Sequence, residues 1–220
     1  MKKYIVVGYG NHARGKIIPL LKELNLLKGV VTRKAFEDDK LDTYKNLEEA
    51  CNIANNQTTF LICSPPKYHY KQANFLIRKN FNFLIEKPIF IKKNEFIKIY
   101  SNLNKNNFFN ELLMYKHNDM YSRFIKIWSK YKIQIKKIDI TFVIPSFAND
   151  SFRSERDISS SLIFDVGYYP ISLLNELKID LSNIELKKVS FYGNPRKEFF
   201  YISLNDKIKS NIRIGIKKKY

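Results

Sequence analysis

The sequence lacks the features of a membrane-spanning or secreted protein. No apolar run reaches the roughly 18 residues that a transmembrane helix needs. The amino terminus, "MKKYIVVGYG", has basic residues and a short apolar run, but that run leads directly into a glycine turn and is too short for the hydrophobic region of a signal peptide. We therefore expect a cytoplasmic protein.

Cysteine is also scarce, with only Cys51 and Cys63 in the chain. The two residues form neither a metal-ligand spacing nor a CxxC motif, so the sequence predicts no metal site. Two thiols in a chain of 220 residues are typical of a reducing compartment.

Internal repeats and low-complexity linkers are absent as well. A hydrophobic content of 45% and an aromatic content of 15% argue against disorder. The length of 220 residues is enough to bury a core, either in one large domain or in two small ones.

Positive charge is abundant, with a net charge of +18. Such a surplus can indicate binding to nucleic acid or to an anionic membrane. The lysines are spread along the whole chain, however, and no arginine-rich arm, zinc-finger spacing or aromatic RNA-binding strand accompanies them. We therefore expect neither a nucleic-acid nor a membrane partner, and we expect the charge to favour small substrates that carry phosphate.

The first half of the chain alternates apolar strands with helical patterns. The predicted strands are residues 4–8, 26–32, 58–63, 81–86 and 108–115. Helical spacing follows at residues 13–25, 68–80 and 92–105, with a polar loop and a short helix in residues 34–56, and Pro19 is discordant inside the first helix. Strands that alternate with helices in this way indicate right-handed crossovers and a doubly wound parallel sheet of the Rossmann type.

The second half has a different pattern. Long β-type segments are predicted at residues 132–145, 184–193, 198–206 and 207–216, with one helix at about 158–176. This pattern favours a smaller α+β domain with a mainly antiparallel sheet. The fold class is therefore α/β, with a dinucleotide-binding domain at residues 1–117 and a second domain for substrate binding or oligomerisation at residues 118–220.

The segment "GYGNHA" has the GxGxxA pattern of a dinucleotide-binding turn. Gly8 permits the tight turn, Gly10 lets the backbone approach a pyrophosphate, and the small Ala13 lets the helix pack closely on the strand. The segment lies between a predicted strand and a predicted helix, which favours cofactor binding over a plain turn. Tyr9, Asn11 and His12 complete the turn, although His12 is also typical of an exposed loop histidine.

The end of the second predicted strand selects between two cofactors. An NAD site usually has an acidic residue there, whereas this chain has Thr32, Arg33 and Lys34. A hydroxyl and a guanidinium favour a 2′-phosphate, which a carboxylate would repel. We therefore expect NADP(H) rather than NAD(H). The acidic residues 37–39 argue for NAD(H), but they lie further along the loop.

Two further segments follow predicted strands, where ligands bind in doubly wound sheets. After the third strand, prolines at 65 and 66 stop the strand and fix an extended turn. After the fourth strand comes "EKP", in which Lys87 is either a site residue or a solvated loop lysine. From these two segments we assign to the cofactor site Ser64, Pro65, Pro66, His69, Glu86 and Lys87.

Taken together, these motifs resemble those of the glucose–fructose oxidoreductase / inositol dehydrogenase (Gfo/Idh/MocA) family. The resemblance includes the GxGxxA turn, a "TP…H"-like turn and "EKP". It continues with "ELLMYKHND", which is similar to the family's "EAFMYRFHP", and with "SSLIFDVGYYPISLL", which is similar to "GGALMDVGCYxxxxL". The similarity extends from residue 1 to about 178.

The resemblance implies an NAD(P)-dependent oxidoreductase that acts on a sugar-like alcohol or ketone, with a nucleotide-linked sugar as one candidate. Lys87 would contact the substrate oxygen near the nicotinamide, and Asp165 and Tyr169 would complete the catalytic group. Asp165 and Tyr169 are four residues apart and so share one helix face. A nearby ammonium would lower the pKa of the tyrosine from its ordinary value near 10, so that the phenol could relay a proton. Tyr169 is otherwise a core aromatic beside Tyr168.

Three departures from the family pattern are visible. Serines stand at 159–161 where the family has glycines, and Lys116 replaces an arginine, which loses a bidentate donor. Asp119 stands at the family's proline position. The C-terminal sheet is also shorter than usual, so we expect a natural short form or a chain that lacks its last part. Family members associate through this sheet, which predicts a homo-oligomer, and the alternative function is a non-catalytic nucleotide-binding or scaffold protein.

Overall fold

The computed structural model describes residues 2–33, 41–105, 107–145, 157–191, 198–204 and 208–217, and it describes the side chains of these residues except those at 186–191, 198–204 and 217. The chain divides into two compact units, unit 1 from Met1 to Leu112 and unit 2 from Leu113 to Tyr220. The sequence predicted a division at residue 117, which lies within a 3-10 turn at Met114–His117.

Unit 1 is built on a parallel sheet of six strands. The strands are β1 Lys3–Val7, β2 Leu27–Val31, β3 Thr43–Tyr44, β4 Thr58–Ile62, β5 Asn82–Glu86 and β6 Phe109–Leu112. They lie in the order β3-β2-β1-β4-β5-β6, and every pair is parallel. This is the strand order of a doubly wound Rossmann sheet, which confirms the predicted fold class of the first domain. The short strand β3 was not predicted, because it lies in a stretch that has a polar composition.

Helices follow the strands of unit 1 as predicted. They are α1 Ile18–Glu23, α2 Leu47–Ile53, α3 His69–Arg78 and α4 Lys93–Ser101. A π-helical turn, Ala13–Ile17, leads into α1, and Pro19 is the second residue of that helix.

The core of unit 1 lies on both faces of its sheet. All five residues of β4 are buried, and Phe60, Ile62, Phe83 and Ile85 are fully buried in the largest apolar cluster. Continuous apolar strands are expected in a parallel sheet that helices cover on both faces. The carboxyl ends of β1, β4 and β5 therefore have fixed positions, and the predicted site residues of unit 1 follow these ends.

Unit 2 has two helices and a second sheet. The elements are α5 Asp119–Tyr131, β7 Lys137–Pro145, α6 Tyr168–Glu176, β8 Ile184–Phe191, β9 Glu198–Leu204 and β10 Lys209–Lys217. A π-helical turn at Ile163–Gly167 runs directly into α6. The sequence pattern predicted α6 but not α5. Tyr121, Ile125 and Trp128 give α5 its partly buried face, and the sequence of α5 alternates these residues with basic ones.

The second sheet has the order β7-β10-β9-β8. Its longest pairing, between β7 and β10, is parallel over nine residue pairs, while β9 runs antiparallel to both β10 and β8. Two of the three strand pairings are therefore antiparallel, and the parallel pairing of β7 with β10 is the part of this sheet that was not predicted. Alternation of polar and apolar residues predicts a strand with one covered face, but it does not determine which strand lies beside it.

The core of unit 2 lies between this sheet and its helices. Val166, Leu174, Ile212 and Ile214 are buried there, together with Trp128, the only tryptophan of the chain. Among the described residues, no helix combines the length and the apolar character that would be needed to cross a membrane.

Candidate active site

The turn after β1 requires a glycine. Gly8 has a φ of +104°, and a Cβ atom there would lie 2.9 Å from the backbone nitrogen of Ser64 and 3.0 Å from its Cα. The Gly8 amide donates a hydrogen bond to the carbonyl of Val31 at 2.9 Å. The turn is therefore in contact with the ends of both β2 and β4, and a side chain at position 8 would push them apart.

The next glycine faces open space. No atom lies within 4 Å of a Cβ built on Gly10, while Ala13 is completely buried against the sheet. The Gly10 carbonyl accepts the Arg14 amide at 2.9 Å, so the helical segment begins directly after the turn. Open space beside Gly10, at the start of a helix, is the arrangement that lets a pyrophosphate approach the backbone. The residues of this turn therefore fit a dinucleotide.

His12 contacts the residue before the predicted site lysine. Its Nε2 lies 3.2 Å from Oε1 of Glu86, at the end of β5. This is an ion-pair distance rather than an aligned hydrogen bond, since the buried Oε1 has no hydrogen-bond partner. Two sequence-predicted residues therefore meet at the carboxyl edge of the sheet, and the His12 side chain is itself exposed, at 42%, as the sequence favoured.

The end of β2 has the residues that were predicted to select the cofactor. Thr32 is half-buried, and its amide donates to the carbonyl of Tyr44 at 2.9 Å. Arg33 is exposed. Lys34 and the acidic residues 37–39 lie outside the described residues.

The turn after β4 packs against the start of α3. Ser64 and Pro65 are half-buried and Pro66 is buried. The Ser64 hydroxyl donates to Oε1 of Gln72 at 2.5 Å, which fixes the turn on the helix that follows.

His69 lies inside the protein rather than at its surface. The ring is completely buried, with Nε2 2.9 Å from the carbonyl of Ser64 and Nδ1 3.0 Å from that of Pro88 and 3.2 Å from that of Ile89. Burial lowers the pKa of His69, while the three carbonyls and the charge of Glu86 act in the opposite direction. Because both nitrogens are used by the protein, the ring has none left for the cofactor contact that the sequence suggested.

The "EKP" segment leaves β5 and is held from the neighbouring strand. Lys87 is half-buried, the Lys87–Pro88 peptide is cis, and the amide of Ile89 donates to Oε1 of Glu111 at 2.7 Å. No role was predicted for Glu111. A charged residue inside a mostly apolar predicted strand was the signal that could have identified it, because such a carboxylate needs a partner.

Neither thiol has the properties of a nucleophile. Burial, together with the charge of Glu86, raises the pKa of Cys63 well above its ordinary value, and burial raises that of Cys51 to about 11. Both residues are therefore thiols at neutral pH.

In unit 2, Asp165 and Tyr169 belong to one continuous helical segment. Asp165 is buried in the π-helical turn, where its amide donates to the carbonyl of Ser161 at 2.9 Å. Tyr169 is half-buried in the first turn of α6, with its ring centroid 5.1 Å from that of Phe142 and 6.2 Å from that of Tyr115. Phe142 and Tyr115 thus pack against part of the Tyr169 ring.

The serines that replace the family's glycines form a 3-10 turn, Ile158–Ser160. The Asp157 carboxylate accepts the amide of Ser159 at 2.9 Å and also its hydroxyl, and the Ser160 hydroxyl donates to the carbonyl of Asp157 at 2.7 Å. These hydrogen bonds give the loop before Asp165 a defined shape without glycine.

Lys116 forms an ion pair within unit 2. Its Nζ lies 2.7 Å from Oε1 of Glu176, and both side chains are about one-third exposed, at 32% and 33%. The hydrogen bond from Lys116 is the largest cause of the lowered pKa of Glu176. Partial burial lowers the pKa of Lys116, but the bond and charge of Glu176 outweigh this effect, and the pKa is raised. Lysine thus forms a carboxylate contact at the position where the family pattern has arginine.

Within the described residues, no group of three or more His, Cys, Asp or Glu side chains could hold a metal ion.

Comparison with known proteins adds a family match to this geometry. The sequence profile of the GFO_IDH_MocA family, an oxidoreductase family with an NAD-binding Rossmann fold, matches residues 2–117. No curated protein matches the chain by sequence.

Several solved structures share the fold. A myo-inositol 2-dehydrogenase from Lactobacillus plantarum has a TM-score of 0.82 at 16% identity, over 98% of this chain and 70% of its own. A 3-ketoreductase from Actinomadura kijaniata, KijD10, solved with NADP and TDP-benzene, has a TM-score of 0.79 at 13% identity, over 98% and 70%. An NAD-binding protein from Listeria innocua has a TM-score of 0.78 at 16% identity, over 98% and 67%. The chain thus spans about two thirds of the length of these proteins.

Proposed function

The chain belongs to the Gfo/Idh/MocA oxidoreductase family, which has an NAD-binding Rossmann fold, and we propose that it is an NADP(H)-preferring enzyme that transfers hydride between nicotinamide and a sugar-like alcohol or ketone. The observation that carries this proposal is the position of "EKP". Lys87 leaves the carboxyl end of β5 directly after Glu86, and Glu86 contacts His12 of the dinucleotide turn.

The residues assigned to the cofactor are those of the turn after β1 and of the end of β2. Gly8 and Gly10 shape the pyrophosphate site, and the exposed Arg33 would pair with a 2′-phosphate. When bound, the nicotinamide cofactor supplies or accepts the hydride.

The catalytic group of the proposal is Lys87, Asp165 and Tyr169. Tyr169 would take the proton from the substrate hydroxyl as the alcohol is oxidised, or return it as the ketone is reduced. The Lys87 ammonium would stabilise negative charge on the substrate oxygen and on the phenol, and Asp165 would orient these two groups. The proposal requires that Lys87 and Tyr169 reach the same substrate oxygen.

A nucleotide-linked or phosphorylated sugar is the substrate class that we favour. The net charge of +18 would attract such a substrate. Among proteins of the same fold, KijD10 was solved with a TDP compound, and its name describes a ketoreductase.

Fluorescence titration of the cofactor-free protein tests the cofactor assignment. We expect NADPH to bind more tightly than NADH, and Arg33→Ala to weaken NADPH binding roughly tenfold or more without changing NADH binding, because only NADPH has the 2′-phosphate. Arg78→Ala, which removes an exposed arginine at the end of α3, is the matched control. Tighter binding of NADH by the wild-type protein would refute the preference.

Turnover with a panel of sugars and nucleotide sugars tests the chemistry. Lys87→Ala should retain NADPH binding and lose most turnover, while Lys98→Ala, at an exposed position of α4, should retain both. Equal turnover of the two variants would exclude the role of Lys87. A wild-type protein that binds cofactor and turns over no member of the panel would favour the non-catalytic alternative.

A further inference from the structure

The main chain that follows Lys87 is held by side chains from two other elements. His69, at the start of α3, contacts the carbonyls of Pro88 and Ile89, and Glu111 of β6 accepts the amide of Ile89. Three consecutive polar groups of this segment, two carbonyls and one amide, therefore have partners outside it. Since Pro88 follows Lys87 directly, these contacts fix the point from which the lysine side chain extends.

His69 also reaches a second turn. Its Nε2 lies 2.9 Å from the carbonyl of Ser64, on the opposite side of the ring from Pro88 and Ile89. Ser64 is the residue whose backbone nitrogen and Cα lie against Gly8. One fully buried ring thus connects the segment after Lys87 with the turn that packs on the dinucleotide-binding loop.

All three partners of the ring are hydrogen-bond acceptors. A neutral imidazole has one N–H group, so it donates either to Ser64 or to the pair Pro88 and Ile89, and its other nitrogen then faces a carbonyl with a lone pair. An imidazolium donates on both sides. Burial, the largest effect, lowers the pKa of the ring and favours its neutral form, whereas the charge of Glu86 favours the protonated form. The proton on His69 therefore decides whether one turn or both are held.

We propose that His69 is a positioning residue that places the Lys87 ammonium by joining the Ser64 turn to the Pro88–Ile89 segment. The proposal rests on the proposed function only in that Lys87 acts on the substrate. It gives His69 a role that is different from cofactor contact, since the ring has no surface exposed to a ligand.

The first test needs no variant and no cofactor. The ring nitrogens of His69 are followed by ¹⁵N NMR across pH, and the acetylation rates of Lys87 and of the exposed Lys98 are measured in the same samples by mass spectrometry. We expect the ratio of the two rates to change severalfold at the pH where the His69 ring titrates, because the hold on the segment beside Lys87 changes there. A ratio that shows no step while the ring titrates would overturn the proposal.

The second test uses His69→Gln, whose single terminal amide cannot contact both turns from opposite ends as the two ring nitrogens do. We expect kcat to fall roughly tenfold to a hundredfold with KM and NADPH affinity nearly unchanged, because a misplaced catalytic group lowers the rate more than the binding. The pH-dependent step in the Lys87 labelling ratio should also disappear. His117→Gln, an exposed position in unit 2, is the matched control and should change none of these quantities.

The two proposals fail in different ways. If the wild-type protein binds no nicotinamide cofactor but the labelling step follows the His69 titration, the enzyme assignment fails and the positioning role stands. If cofactor binds and turnover depends on Lys87, while His69→Gln retains wild-type kcat and labelling, the positioning role fails alone. If His69→Gln does not fold, the wild-type titration still decides.

Discussion

The two units hold their candidate residues in different ways. In unit 1, loops at the end of a sheet buried on both faces contact one another through the main chain, as Gly8 does with Ser64. In unit 2, none of the nine residues of β7 is fully buried, and the segment with Asp165 and Tyr169 is held by side-chain packing. Backbone contacts tolerate little displacement, whereas packed side chains can shift. We therefore expect unit 1 to be the more sensitive to small substitutions near the site.

Adding one methyl group to each unit tests this comparison most severely. Gly8→Ala should destabilise unit 1 by at least about 1–3 kcal/mol, because φ is +104° and the new Cβ would meet backbone atoms. Gly167→Ala should cost only about 1 kcal/mol in unit 2, because its Cβ would meet the end of the Ile214 side chain, 2.9 Å away, which can rotate.

Denaturant unfolding measures both variants. Fluorescence of Trp128, the only tryptophan, reports on unit 2, and amide exchange of β4 reports on unit 1. Gly10→Ala is the control for Gly8→Ala, because its new Cβ would meet no atom within 4 Å. This variant should weaken cofactor binding without changing the stability of unit 1. If Gly167→Ala destabilised unit 2 more than Gly8→Ala destabilised unit 1, unit 2 would be the more sensitive of the two.

Acidification should affect the two units at different pH values. Burial lowers the pKa of His69 below its ordinary value of 6.5, so the unfolded chain binds the proton more readily. The contribution of the neutral ring to unit 1 is therefore complete above pH 6.5 and is lost as pH falls from there toward the lowered pKa. In unit 2, the pKa of Glu176 is lowered from 4.5, so its contribution is present above pH 4.5 and is lost only as pH falls below it.

Amide exchange of β4 and Trp128 fluorescence, followed between neutral and acidic pH, measure this difference. In unit 1 the loss of stability that begins near pH 6.5 should be absent from the His69→Gln variant. If both signals are lost at the same pH, and His69→Gln behaves as the wild-type protein does, the pH dependence of unit 1 does not come from His69.

The smallest expected effect is that of the ion pair in unit 2. Lys116→Met keeps most of the apolar stem and should cost about 0.5 kcal/mol, since both partners are one-third exposed and solvent screens their attraction. Lys137→Met, which breaks the more exposed pair with Asp139 in the same unit, should have a smaller effect still. Thermal unfolding followed at Trp128 measures both, and a cost of several kcal/mol at Lys116 would mean that this pair is more than a surface contact.

The sequence was sufficient for most of unit 1 because local signals determine it. Strands there are mostly short apolar runs, and β1 and β4 are followed by residues that break a strand, Gly8 and Pro65. The approach of His12 to Glu86 and the burial of His69 could not be predicted, because they depend on loops that are distant in sequence and adjacent only in the folded sheet.

Unit 2 was predicted less well for a related reason. The helix α5 was missed although its apolar residues recur at helical spacing, as Tyr121, Ile125 and Trp128 do. The pairing of β7 with β10 joins residues that are about 70 positions apart, such as Ile140 and Ile212, and no local rule gives the direction of such a pair.

The contact between Gly8 and Ser64 also limits how this chain can change in evolution. Any other residue at position 8 requires a different backbone at position 64, and that backbone also provides the carbonyl that His69 contacts. Substitutions that are acceptable one at a time elsewhere must therefore occur here in combination. We expect descendants of this sequence to exchange the loop residues at positions 8, 64 and 69 together or to leave them unaltered.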